Sequence, residues 1–324
     1  MGQGDPLDSK RMSHEAGQAT RSGDARFRLS ARRRRLLDDT LIGASMLFAL
    51  VGFSILVLHL NRDPLVDIHA YYEAGQRLND GLPLYAAAGD VNSPHYYFYP
   101  PLLAILFRPL ARLPFEAAAA IWEACMIAAF VATLWLLGLR RRRTWIAVGF
   151  LAGPIAWTLS IGQAQSLVTL LLTIGNPASV ALAGQLKILP ALVALYWVGR
   201  RDWRSVGRFI GWSLLLIVGQ LIVEPAGSIA FLQSTNLGLV GQVNNLSPYA
   251  LSPALWLVLA LIGLAVTLRL APTRSGWAAA ITYSVIVTPR LLAYMLMTLL
   301  AALRDPATAR TSSTPEPQGP TGPG

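Results

Sequence analysis

The chain has 324 residues, of which 54% are hydrophobic and only 14% charged, with a net charge of +10 and a mean hydropathy of +0.47. A soluble domain carries closer to a quarter charged residues, and apolar runs of about 20 residues, each long enough to span a bilayer, recur here. The composition therefore excludes an ordinary soluble domain, and the absence of ten-residue alternating strands argues against an outer-membrane barrel. What remains is an all-α, polytopic helical membrane protein.

The positive charge is arginine charge, and it is clustered beside the apolar runs. Arg32–Arg35, Arg140–Arg143 and the group Arg200, Arg201, Arg204 and Arg208 mark cytoplasmic loops. A nucleic-acid partner is not expected, because that would need a basic, aromatic-studded soluble domain. The single cysteine, Cys125, rules out an intrachain disulfide.

In chain order, residues 1–35 read as a disordered basic cytoplasmic tail, residues 36–304 as the membrane domain, and residues 305–324, rich in Pro, Thr and Gly, as a second disordered tail. The first span runs from about Leu36 to Leu60 with Arg32–Arg35 before it, so the N-terminus is expected in the cytoplasm. The abundance of alanine and arginine suggests a bacterial chain, and so the bacterial plasma membrane. Residues 61–99 form a long external loop. Within it a short helix is predicted from Asp67 to Gly81, with Asp67 suited to N-cap it and Gly81 suited to the C′ position. Pro100–Leu113 is too short to span and reads as an interfacial helix. Phe115–Leu139 crosses inward, Trp145–Leu159 outward, and Ser166–Ile174 inward again after the polar turn Gly162-Gln-Ala-Gln165.

The run Ala178–Val198 would, if straight, place Arg200–Arg208 outside, against the charge rule. Pro190 can break the helix, and two half-helices meeting at Lys187–Pro190 restore the rule; the alternative is a local violation of it. Ser205–Val223 goes out, residues 224–252 form a second external loop, and Pro253–Leu270 returns. The last run, Trp277–Leu303, is interrupted at Thr288-Pro-Arg290, again a break beside a cation. The expected total is eight to ten membrane segments including half-helices.

The sequence contains two lysines, Lys10 in the N-terminal tail and Lys187 within an apolar run. A cation at membrane depth is read by default as functional, facing a cavity or a partner. The outer face offers the acids Asp63, Asp67, Glu73, Asp80, Asp90 and Glu224. Around them lie aromatic side chains, Tyr71, Tyr72, Tyr85 and Tyr96–Tyr99 with Phe98, and in the second loop the amides Gln233, Asn236, Gln242, Asn244 and Asn245. Aromatic faces and neutral hydrogen-bonding groups suit a sugar; an interfacial aromatic belt is the plainer reading of the same residues. Glu224 beside Pro225 reads as a helix cap. The four histidines form no paired metal motif, and no nucleotide-binding Gly-rich loop is present, so neither a metal nor a cofactor is expected.

The order of short motifs is more specific. The first loop reads Asp67-x3-Tyr71-Tyr72-Glu-Ala-Gly75, then Tyr99-Pro-Pro-Leu102. Gly162-Gln163 follows, then Ala183-Gly184, Leu186-Lys187-x-x-Pro190 and Arg200-Arg-x-Trp-Arg204. This series, from about residue 36 to 208, resembles glycosyltransferase family 87 of the GT-C superfold. Gln165 stands where the family usually has Asn, and beyond Thr288-Pro289 no later family segment is clear. The resemblance implies transfer of a sugar from a polyprenyl-phosphate donor to a cell-envelope glycan or glycolipid acceptor, on the outer face and with inversion. Chemically, an inverting transfer needs one carboxylate as base, expected to be Asp67, and a cation on the leaving phosphate, expected to be Lys187 with Arg290. Tyr71, Tyr72, Tyr99, Gln163 and Asn244 are the expected sugar or acceptor contacts. The rival reading is a non-catalytic membrane protein, either a lipid or solute transporter or an inactive relative.

Overall fold

The computed structural model describes residues 36–62, 64–85, 95–234 and 244–304. The two tails, and Asp63, Asp90, Asn236 and Gln242 among the residues noted above, lie outside them. Among the described residues every element is helical. Four helices are long and apolar enough to cross a membrane: α1 (Leu36–Arg62), α4 (Phe115–Leu137), α10 (Trp203–Val223) and α12 (Pro253–Leu270). The chain is an all-α polytopic membrane protein. On α1, α10 and α12 most side chains face outward, with Leu215, Ile222 and Leu261 all more than half exposed, as expected of helices whose solvent is lipid rather than water.

Between these spans lie helices of half that length. They are α7 (Gln165–Ile174) and α8 (Pro177–Leu186), a 3-10 segment at Leu189–Ala194 running into α9 (Leu195–Gly199), and α13 (Gly276–Ile286) followed by a 3-10 segment at Ala293–Leu303. At 1.5 Å per residue a ten-residue helix reaches about 15 Å, half of the roughly 30 Å hydrocarbon layer. Such segments must turn inside the protein, and both breaks expected from the sequence do so. At the first, α8 ends at Leu186 and Lys187 is extended (φ −146°, ψ 129°). A methyl group on Gly184 would then lie 2.9 Å from Cβ of Ala191, whereas residues seven apart on a straight helix are about 10 Å apart. The chain has therefore folded back on itself. At the second, the Trp277 indole donates to the Ala301 carbonyl at 3.0 Å, which ties the start of α13 to the end of the segment after the break.

The two hairpins point the same way. Their feet gather at one end of the bundle, where Arg304 donates to the Gly175 carbonyl at 2.8 Å and Arg200 to the Ala271 carbonyl at 3.4 Å. Their tips, carrying Lys187 and Arg290, lie toward the other end, where the first loop covers them. Non-helical backbone at membrane depth is tolerated in such a position because it lines a cavity or is buried in protein.

The first loop is part of the core. Its helix α2 (Val66–Asn79) buries Ile68, Tyr71 and Ala74, and α3 (Pro101–Phe107) buries Leu103, Ala104 and Phe107, all at 2% exposure or less. Two expectations are corrected here. Pro100–Leu113 does not lie along a surface: α3 packs under α2, because its apolar face finds protein there, and a 3-10 turn at Leu110–Arg112 follows it. Asp67 does not cap α2: the N-cap is Leu65, in a left-handed conformation with no side-chain cap, and Asp67 stands in the first turn. Gly81, with φ +67°, does take the left-handed position beyond the helix end. Glu224 caps α11 (Pro225–Ser234) through Gly227 N–H at 3.2 Å.

After α4 the chain returns through α5 (Arg142–Phe150) and α6 (Ala152–Ser160), which meet at Leu151. α6 hands over to α7 through a turn in which Gly162 adopts φ +68°. A β-carbon there would sit 2.2 Å from Cγ1 of Ile68, and the Trp122 indole closes the turn from the far side by donating to the Gly162 carbonyl at 2.8 Å. Only glycine meets both demands. Gly162→Ala adds a left-handed penalty of about 1–2 kcal/mol to an overpacking cost of about 1–3 kcal/mol. It is expected to lower the thermal unfolding midpoint of the detergent-purified protein by several degrees, and an unchanged midpoint would contradict this account of the turn.

Candidate active site

The Gly162 turn delivers two glutamine side chains. Gln163 is fully buried, and a buried amide is tolerated when its donors and acceptor are all paired. Its Nε2 donates to Asp67 Oδ2 at 3.0 Å and to the Tyr99 hydroxyl at 2.9 Å, while its Oε1 accepts from the Tyr71 hydroxyl at 2.5 Å. Gln165, at 4% exposure, faces the first hairpin tip. Its Oε1 accepts from Lys187 Nζ at 2.6 Å, and its Nε2 donates to Thr298 Oγ1 on the C-terminal segment.

These contacts bring a carboxylate and an ammonium to one cavity of about 700 Å3, lined by Asp67, Tyr99, Lys187, Arg290 and Asn244 among others. The ammonium lies 4.8 Å from the centre of the Tyr294 ring and 5.4 Å from that of Tyr99, within reach of a cation–π attraction. Arg290 stacks on Phe98 at 5.4 Å. The loop bearing Asn244 is stapled to the second tip: Asn245 donates to the Pro289 carbonyl at 2.9 Å and accepts from Leu291 N–H at 3.0 Å. Burial raises the Asp67 carboxyl above its ordinary value, and the Lys187 charge and the Gln163 hydrogen bond oppose that rise only in part. The two charged groups do not touch, since no salt bridge joins them among the described residues. Among those residues no cluster of three His, Cys, Asp or Glu side chains could hold a metal ion.

The expected site residues thus fall into three groups. Asp67, Tyr99, Lys187, Arg290 and Asn244 line the cavity. Tyr71 and Gln163 stand behind its wall, where they hold Asp67 and Tyr99 rather than face the open space. Tyr72 points elsewhere, donating to the Leu113 carbonyl at 2.7 Å with its ring edge-on to Phe115. Arg62, Gln165, Tyr294 and Thr298 line the cavity and were not singled out as site residues. The signal for the last three was polarity inside an apolar run.

The family model described as Glycosyltransferase family 87 matches residues 97–314. That span contains both hairpin tips and the Gly162 turn and extends beyond the motif series read from the sequence, whereas Asp67 precedes it. Over 196 residues the chain is 30% identical to the polyprenol-phosphate-mannose-dependent alpha-(1-2)-phosphatidylinositol pentamannoside mannosyltransferase of Mycolicibacterium smegmatis, covering 55% of this chain and 47% of that protein. It is 25% identical over 199 residues to the protein of the same description in Mycobacterium tuberculosis, covering 55% and 46%. It is also 31% identical over 206 residues to a polyprenol-phosphate-mannose-dependent alpha-(1-2)-phosphatidylinositol mannoside mannosyltransferase of M. smegmatis, covering 52% and 46%. The chain spans about half the length of the curated relatives it matches. No solved structure matches. With its family model covering more than half of its length, this chain belongs to glycosyltransferase family 87.

Proposed function

We propose that the chain transfers a sugar, mannose by analogy with its relatives' donors, from a polyprenyl phosphate to a glycolipid acceptor on the outer face of the bacterial plasma membrane. The observation that carries this reading is the placement of one carboxylate and one ammonium, separately held, on the wall of a single cavity. In the proposed step Asp67 accepts the proton of the acceptor hydroxyl. The hydroxyl oxygen forms the new bond to the anomeric carbon from the face opposite the phosphate. The bond from that carbon to the phosphate oxygen breaks, and the electron pair leaves with the lipid phosphate, whose charge Lys187 and Arg290 stabilise. Attack from the far face inverts the anomeric configuration. Tyr99 and Asn244, which line the cavity, are the proposed sugar contacts. Incubating the purified protein with a panel of polyprenyl-phosphate sugars and glycolipids tests the reading, and release of polyprenyl phosphate coupled to glycoside formation is the supporting result.

Asp67→Asn keeps size and hydrogen bonding but cannot take a proton. Transfer should fall about 10²-fold or more, with the unfolding midpoint little changed; turnover at the wild-type rate would remove Asp67 as the base. Because the base acts deprotonated and burial raises its carboxyl, kcat/KM should rise with pH across a range well above the ordinary carboxylate value of about 4. An activity that is flat from mildly acidic to neutral pH would count against the assignment.

Lys187→Met keeps the apolar stem and removes the charge. An ammonium in a partly desolvated site interacts with phosphate more strongly than in water, so the donor KM should rise while the acceptor KM stays nearly constant. Lys187→Arg should restore part of the donor use, since both side chains bind phosphate but with different geometry. Unaltered donor kinetics in Lys187→Met would transfer the phosphate role to Arg290.

The arginine-rich foot of the bundle is proposed to face the cytoplasm and the cavity end the outside. In a Cys125→Ser background, a cysteine at the exposed Arg112 should label in intact cells, and one at the exposed Thr273 only after permeabilisation. The opposite pattern would invert the topology.

A further inference from the structure

In the proposed step no group of the Gly162–Gln165 turn takes the proton or meets the phosphate, yet the turn touches Asp67 and Lys187, which do. We propose that this turn is a bracket in which Gln163 orients the Asp67 carboxylate and Gln165 orients the Lys187 ammonium, so that one piece of backbone sets the spacing between them. The proposal rests on Asp67 and Lys187 having the roles proposed above.

The chemistry of the contacts is complementary. A carboxylate only accepts and an ammonium only donates, so Gln163 must present its NH2 to Asp67 and Gln165 its carbonyl to Lys187, as both do. The other end of each amide is tied to a hydroxyl: Tyr71 donates to Gln163 Oε1, and Thr298 accepts from Gln165 Nε2. Neither amide can turn over without breaking a contact to a charged group. The backbone between them is also fixed, by Trp122 on the Gly162 carbonyl and by Ile68 against Gly162 Cα. The hydroxyl anchors come from α2 and from the C-terminal segment, so the bracket also ties the external loop to the second hairpin. A carboxylate and an ammonium free to move in one cavity would collapse into a salt bridge; each is instead held by its own amide. Both glutamines are therefore positioning residues.

Isosteric substitutions separate the two arms. The titratable groups facing Asp67 are Lys187 from the first tip, Tyr71 on its own helix, Tyr99 from the loop and Tyr294 from the C-terminal segment. Gln163→Glu places a like charge against Asp67, so the acid limb of kcat/KM should move up by about one pH unit or more, with the donor KM within about twofold of the parent. Gln165→Glu pairs with Lys187 and repels the incoming phosphate, so the donor KM should rise about tenfold or more. By offsetting the Lys187 charge that lowers Asp67 it should also move the acid limb up, so the donor KM is what separates it from Gln163→Glu. Gln163→Met and Gln165→Met provide uncharged versions should either glutamate variant fail to fold, as judged by its unfolding midpoint. Gln163→Met should move the acid limb up and leave the donor KM in place. Gln165→Met should raise the donor KM in the parent but add nothing in a Lys187→Met background. Identical effects of the two arms on pH profile and donor KM would overturn the bracket, as would an equal loss from Gln165→Met with and without Lys187. Asp67→Asn and Lys187→Met alone report on the underlying assignment, so its failure is distinguishable from failure of the bracket.

Discussion

The arrangement depends on keeping an acid and an amine apart in a cavity where their attraction is strong. Charges a few ångströms apart attract several-fold more strongly at the effective dielectric of a protein than in bulk water, and a buried pair left to itself is driven to direct contact. Here each group has a neutral amide partner of the right polarity, Gln163 for Asp67 and Gln165 for Lys187. In the proposed reading this leaves the carboxylate available to take a proton and the ammonium available to meet a phosphate. Burial supports the first role by raising the carboxyl above its ordinary value.

The fold provides the frame for that separation. A cation at membrane depth must face the bundle interior or a cavity, or else meet lipid. Two half-length hairpins carry Lys187 and Arg290 on their tips, beside a cavity that Asp67 and Tyr99 also line. Asn244 lines the same cavity, while Ile68, Tyr71, Leu103 and Phe107 of α2 and α3 pack in the apolar core. The long spans α1, α10 and α12 hold this inner set in the bilayer and take little part in it, as their exposed leucines and isoleucines show.

Much of this was legible in the sequence. Ser252-Pro253 and the apolar run after it gave α12 its limits, Ser252 accepting from Leu255 N–H. Pro190 and Pro289, each beside a cation in an apolar run, located both breaks. The fold-back at the first break was expected from the charge rule, with a straight span as the alternative; the close approach of Gly184 to Ala191 that accompanies it was not legible. Neither was the role of Gln163, which spans 96 residues of sequence to reach Asp67. Local pattern misread Asp67 as a cap, because an aspartate at a helix start is ordinarily one, and here a buried amide competes for the same carboxylate. It also grouped Tyr72 with Tyr71, although adjacent residues on a helix point about 100° apart and only Tyr71 turns toward the site.

The central claim is that the cavity performs transfer rather than passage. The most direct test reconstitutes the purified protein in liposomes with radiolabelled polyprenyl-phosphate mannose and a phosphatidylinositol mannoside, and follows the label by lipid chromatography. The account predicts label moving to the acceptor lipid with stoichiometric release of polyprenyl phosphate. Donor that crosses the bilayer intact, or remains unconsumed in the presence of a panel of glycolipid acceptors, would contradict it.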